Sequence, residues 1–261
     1  MTPYRLPLLL LLALLVSCST SQPSTVCVDT PRTPQCPFGQ PVATTPMTTI
    51  VVSRSQYELA YSPLTKTPLW VCETVSPREL KGSAKRKGYF TLDPLVARKY
   101  QAASSWYKGW GLHLGHMASA ANQKWNQQTI NETFFMTNIA PQYPLFNKGE
   151  WYQLEKLIRQ WAIKYKETFY VVSGPAFTTI DPRHEIKVPS HYWKIIVGRF
   201  GTGALQVVAF LLPHSAATST LNLKNYLVSV DTVEQFSNLD LMPLLSVSQE
   251  KQLETKISSY E

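Results

Sequence analysis

Trp151, Leu154, Leu157, Ile158 and Trp161 recur at helical spacing along one face of the segment 151–165. That pattern predicts an amphipathic helix, whose apolar stripe has to be buried. Around it lie short apolar runs with Gly or Pro nearby, at Ile50–Val52, Tyr57–Tyr61, Trp70–Thr74, Phe169–Ser173, Tyr192–Val197, Leu205–Leu212 and Tyr226–Val230. These read as strands, with a further one at Thr133–Met136. Short helices are expected within Asp93–Tyr107, at Trp125–Asn131 and around Val233–Phe236. Strands and helices are segregated instead of alternating, which argues for a single α+β domain over a doubly wound sheet.

The first residues cannot belong to that domain. Arg5 precedes an apolar run, Leu6–Val16, that only Pro7 interrupts. About eleven residues is too short for a bilayer core of roughly 30 Å, yet it suits the apolar stretch of an export signal. The run ends in Leu15-Val16-Ser17-Cys18, which resembles the bacterial lipobox, so residues 1–17 are expected to be removed and Cys18 to carry lipid. Ser19 follows the cysteine in place of the Asp that retains such proteins at the inner membrane, which points to the outer membrane in a Gram-negative envelope. Residues 18–48 are rich in Ser, Thr and Pro and read as a tether, leaving 49–261 as the folded domain.

Export sets an oxidising compartment. With Cys18 lipidated, Cys27, Cys36 and Cys72 leave an odd count and at most one internal bridge. The short Pro/Thr-rich loop favours Cys27–Cys36, with Cys72 a buried thiol in Leu69-Trp70-Val71-Cys72. No Cys-x-x-Cys pair exists, so a cysteine metal site is not expected. The 25 Lys+Arg against 17 Asp+Glu give a formal charge of +8, which favours polyanionic partners, nucleic acid or anionic lipid.

Chemistry-bearing residues concentrate between Gly109 and Arg159. His113 and His116 are three apart and could grip a metal from one helical turn, but Gly115 intervenes and no third ligand is evident. Asn147 with Glu150 three residues on, at a helix start, reads as a capping box. Glu155 and Arg159, one turn apart, can pair on one helix face. Asn147 and Glu155 would stand about 12 Å apart along a straight helix, so one ion cannot take both directly.

Read together, the run from Gly115 to Trp161 resembles the DNA/RNA non-specific endonucleases, the ββα-metal family. Cys36-Pro37-Phe38-Gly39, Val172-Ser173-Gly174-Pro175, Phe210-Leu211-Leu212-Pro213 and Val228-Ser229-Val230-Asp231 fall in the family's order, so the likeness spans about residues 36–245. It implies an α+β domain with a central, mostly antiparallel sheet, flanking helices and a ββα-metal motif. It also implies metal-dependent hydrolysis of phosphodiesters in DNA and RNA. His116 would be the general base and Asn147 the protein ligand of a divalent cation, Mg²⁺ or else Mn²⁺. Glu155 would orient the cation's waters, Arg159 and Arg86 would hold phosphate, and Asn138 would support the site. One departure stands out. Where the family reads Asp-Arg-Gly-His, this chain reads His113-Leu114-Gly115-His116, losing a carboxylate and a guanidinium. Weakened or altered catalysis is therefore expected, and the alternative is an envelope protein that binds nucleic acid without cutting it.

Overall fold

Strands whose residues are apolar at both phases must be covered on both faces. That is how the long runs are used. The computed structural model describes residues 32–179, 185–201, 203–216 and 222–260. Eleven strands are described within them: β1 (Val42–Ala43), β2 (Ile50–Ser53), β3 (Tyr57–Ser62), β4 (Thr67–Val75), β5 (His113–His116), β6 (Ile139–Gln142), β7 (Phe169–Ala176), β8 (His191–Arg199), β9 (Leu205–Pro213), β10 (Leu227–Val228) and β11 (Leu239–Asp240). The helices are α1 (Gln127–Glu132), α2 (Pro144–Phe146), α3 (Tyr152–Tyr165), α4 (Val230–Ser237) and α5 (Val247–Leu253). Seven strands form one antiparallel sheet in the order β10-β9-β8-β7-β4-β3-β2, and β5–β6 and β1–β11 form separate two-stranded ribbons.

Alternate residues of each central strand feed two cores. Val71, Val171, Tyr192, Ile196 and Phe210 pack with Trp151, Leu154, Ile158 and Trp161 of the helical segment. Cys72, Val172, Ile195 and Ala209 pack on the opposite face with Val230 and Val233 of α4 and Leu239 of β11. Each large apolar side chain so buried contributes on the order of 1.5–3 kcal/mol, so the stripe on α3 is a principal anchor of its face. Adjacent strands β4 and β7 are joined by a long excursion that holds β5, β6 and α1 to α3, and every candidate catalytic residue lies within it.

Four expectations are corrected. The chain packs before residue 49: Cys36 is buried, and Val42–Ala43 pair with Leu239–Asp240, so the tether cannot extend to residue 48. Cys36 bonds to Cys72 across a Cα separation of 5.7 Å, which excludes Cys27–Cys36 and leaves no free thiol at Cys72. The reason is strand phase: Cys72 faces away from Val71 and Glu73, onto the face where residues 36–43 return. The strand expected at Thr133–Met136 falls later, because Met136–Asn138 form a 3₁₀ turn and pairing begins at Ile139. The strand expected over Tyr226–Val230 is only Leu227–Val228, since Ser229 caps α4 through the Thr232 amide at 3.2 Å. Residues 1–31, with Cys18 and Cys27, lie outside the described residues. Among the described residues no helix is long and apolar enough to cross a membrane.

Candidate active site

The ribbon β5–β6 pairs His113 with Gln142 and His116 with Ile139. Gly115 is required there, because any Cβ at that position would run into the side chain of Gln142. On a strand, residues three apart point to opposite faces, so His113 and His116 do not form the helical metal grip that their spacing alone allowed.

His116 stacks edge-on against Phe134 with ring centroids 4.9 Å apart, and lies 5.3 Å from the Phe90 ring. Its Nε2 is sealed from solvent and has no hydrogen-bond partner among the described residues, while the residue as a whole is only partly buried. Burial, reinforced by the charge of Arg86, pushes the imidazole down to about 3, so it is neutral at any physiological pH. Arg86 lies over the outer side of the same aromatic cluster, 5.5 Å from the Phe134 centroid. The basic loop 78–88 is thus more than a solvated turn, since Arg78 also rests over a ring, that of Trp125.

Two clamps fix the strand that bears His116. Trp151 Nε1 donates to the His116 carbonyl at 3.0 Å. Asn138, fully buried, accepts from the Ala118 amide at 2.8 Å and donates to the carbonyls of Ala118 and Thr133 at 3.0 and 2.9 Å. With its amide so committed, Asn138 supports the site from behind.

Asn147 does not cap a helix. It continues α2 with helical φ and ψ, and Asn147–Trp151 form a π turn broken at Gly149 (φ −93°, ψ −108°) before α3 starts. The capping box with Glu150 is absent: no side chain caps either segment. The kink removes the straight-helix constraint between Asn147 and Glu155. Asn147 Nδ2 donates to His113 Nδ1 at 3.3 Å, which makes His113 the Nε2–H tautomer and leaves Asn147 Oδ1 with no donor among the described residues. Burial, and then the charge of Lys148, lower the His113 imidazole.

Glu155 and Arg159 pair one turn apart at 3.7 Å. Ser119 Oγ donates to Glu155 Oε2 at 2.9 Å, and Arg159 Nη1 donates to Asn122 Oδ1 at 3.2 Å. Behind them sits a group that the sequence reading passed over. Glu73 of β4 accepts from Asn122 Nδ2 at 3.1 Å and from the Ser119 amide at 3.4 Å. Lys194 of β8 is 1% exposed, with Nζ 4.2 Å from the Trp151 ring centroid. Burial raises the Glu73 carboxyl and lowers the Lys194 ammonium, and each charge offsets the other's burial. The missed signal was a charged residue at a buried strand phase, in Trp70-Val71-Cys72-Glu73 and Tyr192-Trp193-Lys194-Ile195. Ser119 and Asn122 carried no such signal.

The donors suit a hard divalent cation. Asn147 Oδ1 is an unclaimed neutral oxygen, and a single amide ligand leaves most of a coordination shell to water and substrate; Glu155 is a partly exposed carboxylate able to accept from such waters.

This architecture, a short ββ ribbon joined to a helix on one face of an antiparallel sheet, defines a class of nucleases, and the sequence comparisons agree. Residues 35–248 match the family model for DNA/RNA non-specific endonucleases, and the chain belongs to that family. It is 32% identical over 205 residues to mitochondrial endonuclease G of Homo sapiens, covering 73% of this chain and 69% of that protein. It is 28% identical over 224 residues to the mitochondrial nuclease of Saccharomyces cerevisiae, covering 77% and 68%. A solved structure titled as the EndoG/EndoGI complex superposes with a TM-score of 0.74 at 24% identity, covering 87% of this chain and 96% of that one.

Proposed function

We propose that the protein is a divalent-cation-dependent endonuclease that hydrolyses phosphodiester bonds in DNA and RNA with little base preference. The observation that carries this reading is His116: a neutral imidazole, clamped on a short ribbon beside an arginine. Nδ1, the ring nitrogen that is not enclosed, accepts a proton from the attacking water. A base held at about 3 is weak, and the charge of Arg86 is part of the cause. A bound phosphodiester neutralises that guanidinium and adds negative charge near the ring, and both effects draw the imidazole back up. Arg86 and Arg159 grip phosphate oxygens and Glu155 orients water. Asn147 would hold a cation whose waters Glu155 orients, best fitted by Mg²⁺ with Mn²⁺ as substitute, which when bound neutralises charge growing on the phosphate and the leaving oxygen. Contacts made to phosphate read no sequence.

Incubating the protein with plasmid, single-stranded DNA and RNA tests this. Cleavage of all three with Mg²⁺, stopped by EDTA, is expected; no EDTA-sensitive cleavage of any would sink the enzymatic reading. A second reading, binding without turnover, draws on Leu114, whose side chain packs against the apolar cluster of Leu112, Met136 and Ile139 and offers no cation to phosphate. Restoring the family's pair with His113→Asp plus Leu114→Arg discriminates. Faster cleavage at equal stability supports a handicapped enzyme, whereas salt-sensitive binding with no cleavage before or after supports the binder. We further propose that the protein is lipid-anchored in a bacterial envelope through Cys18; unchanged processing and membrane fractionation of Cys18→Ser would refute the anchor.

A further inference from the structure

On the sheet face opposite the ribbon, α4 and α5 flank an open pocket of about 510 Å³ lined by Asp231, Glu234, Asp240, Glu250 and Glu254. We propose that Asp231, Glu234 and Glu254 form a structural site for a hard divalent cation of the calcium class, separate from the hydrolytic centre.

Local sequence builds the geometry. Ser229 caps α4 and places Asp231 in its first turn, with Glu234 three residues on along the same face. Ser246 and Gln249 form a capping box that starts α5, and Glu254 follows at its end. One carboxylate oxygen from each of Asp231, Glu234 and Glu254 lies within 4.8 Å of the other two. Oxygens bound to one Ca²⁺ at 2.3–2.6 Å cannot be more than about 5 Å apart, so the three are already within the span of a single ion.

Carboxylates cluster on many surfaces without an ion, so the clustering alone decides nothing. Glu254 is the independent observation. It is only 7% exposed, its side chain lines the cavity, and its carboxylate has no hydrogen bond or ion pair among the described residues. Its oxygens open onto the pocket while the rest of the residue is packed, so the pocket is the one direction from which a counter-charge can reach it. Lys251 lines the same cavity but makes no ion pair with any of these acids. Glu234 is half committed, its Oε1 accepting from the Leu241 amide at 2.9 Å, which leaves Oε2 for a ligand.

The donor set is all oxygen and all anionic, with room for waters to fill the six to eight positions that Ca²⁺ takes. Mg²⁺ is more often held by one or two carboxylates together with substrate phosphates, which favours the larger ion here. An ion in this place would tie α4 to the end of α5. Through Asp240 it would also bear on β11, which pairs with β1 and so links both ends of the folded chain.

The test uses the full chain carrying Asn147→Ala, so that the hydrolytic centre does not contribute a signal. After EDTA treatment, 5 mM CaCl₂ is expected to raise the Tm by about 3–5 °C, with matching heat in a calorimetric titration. Glu254→Gln should abolish both responses, and in EDTA at pH 9, where the parent carboxylate is ionised, it should melt higher than its parent because one repelling charge is gone. Should Glu254→Gln not fold, Asp231→Asn takes its place with the same expectations. Absence of a Ca²⁺ response, or a response that these variants leave intact, overturns the site; an equal response to MgCl₂ overturns the calcium assignment.

Discussion

The two faces of the seven-stranded sheet treat buried acids in opposite ways. Beneath the ribbon, Glu73 sits near Lys194 and accepts two hydrogen bonds, and Glu155 pairs with Arg159. Beneath α4, five carboxylates line one pocket and the Glu254 carboxylate has no partner among the described residues. On the first face charge is compensated internally, so the groups stay fixed whether or not a ligand is bound, as a hydrolytic site needs. On the second face compensation has to come from outside. An internally paired network costs stability when one member is removed, and an unpaired cluster gains from the same operation.

The largest expected effect lies on the first face. His116→Ala should lower single-turnover cleavage by about 10²–10⁴-fold while leaving nucleic-acid affinity near its original value. Gel-shift titration beside the rate measurement checks both halves, and wild-type cleavage by the variant would remove His116 from the mechanism.

Lys194→Met comes next. It strands Glu73 in the core and should cost about 3 kcal/mol in urea unfolding. Glu254→Gln, measured the same way at pH 9 without divalent cations, should shift stability upward by several tenths of a kcal/mol to about 1 kcal/mol. If both variants lose stability, the two faces do not differ in the way described.

The smallest effect is a slope with pH. Glu234 and Glu254 have folded-state values above the ordinary carboxylate range, so the native state holds their protons more tightly than the unfolded chain. Their contribution is fully present below about 4.5 and is lost as pH rises through about 7 to 8. His116, held down at about 3, works the other way: the unfolded chain takes up its proton first, so stability falls as pH drops from about 6.5 towards 3. Melts in EDTA across pH 4–9 should therefore pass through a maximum. Glu254→Gln should flatten the alkaline limb, and His116→Ala the acid limb.

How far the sequence could be read depends on where each signal lives. The stripe from Trp151 to Trp161 and the apolar runs of β3, β4, β7, β8 and β9 announced themselves because periodicity and burial act within a few residues. The helix α5 carried a local signal as well, Ser246 with Gln249 at capping-box spacing, which the reading passed over. The ribbon His113–His116 has only four residues, with no alternation to reveal it, and its partner strand contains Pro141. The π turn at Asn147–Trp151 follows helical sequence on either side, so only the break at Gly149 marks it.

The family, the charge excess and the α+β class were thus set by sequence alone, because each rests on composition, local chemistry or co-linear order. Tertiary structure decided the remainder. Cys36 meets Cys72, Glu73 meets Lys194, and Glu254 meets Asp231 only after strands and helices far apart in the chain have packed. A partner chosen by strand phase and by the return path of a distant segment leaves no mark in the residues beside it, and the same is true of a charge left without one.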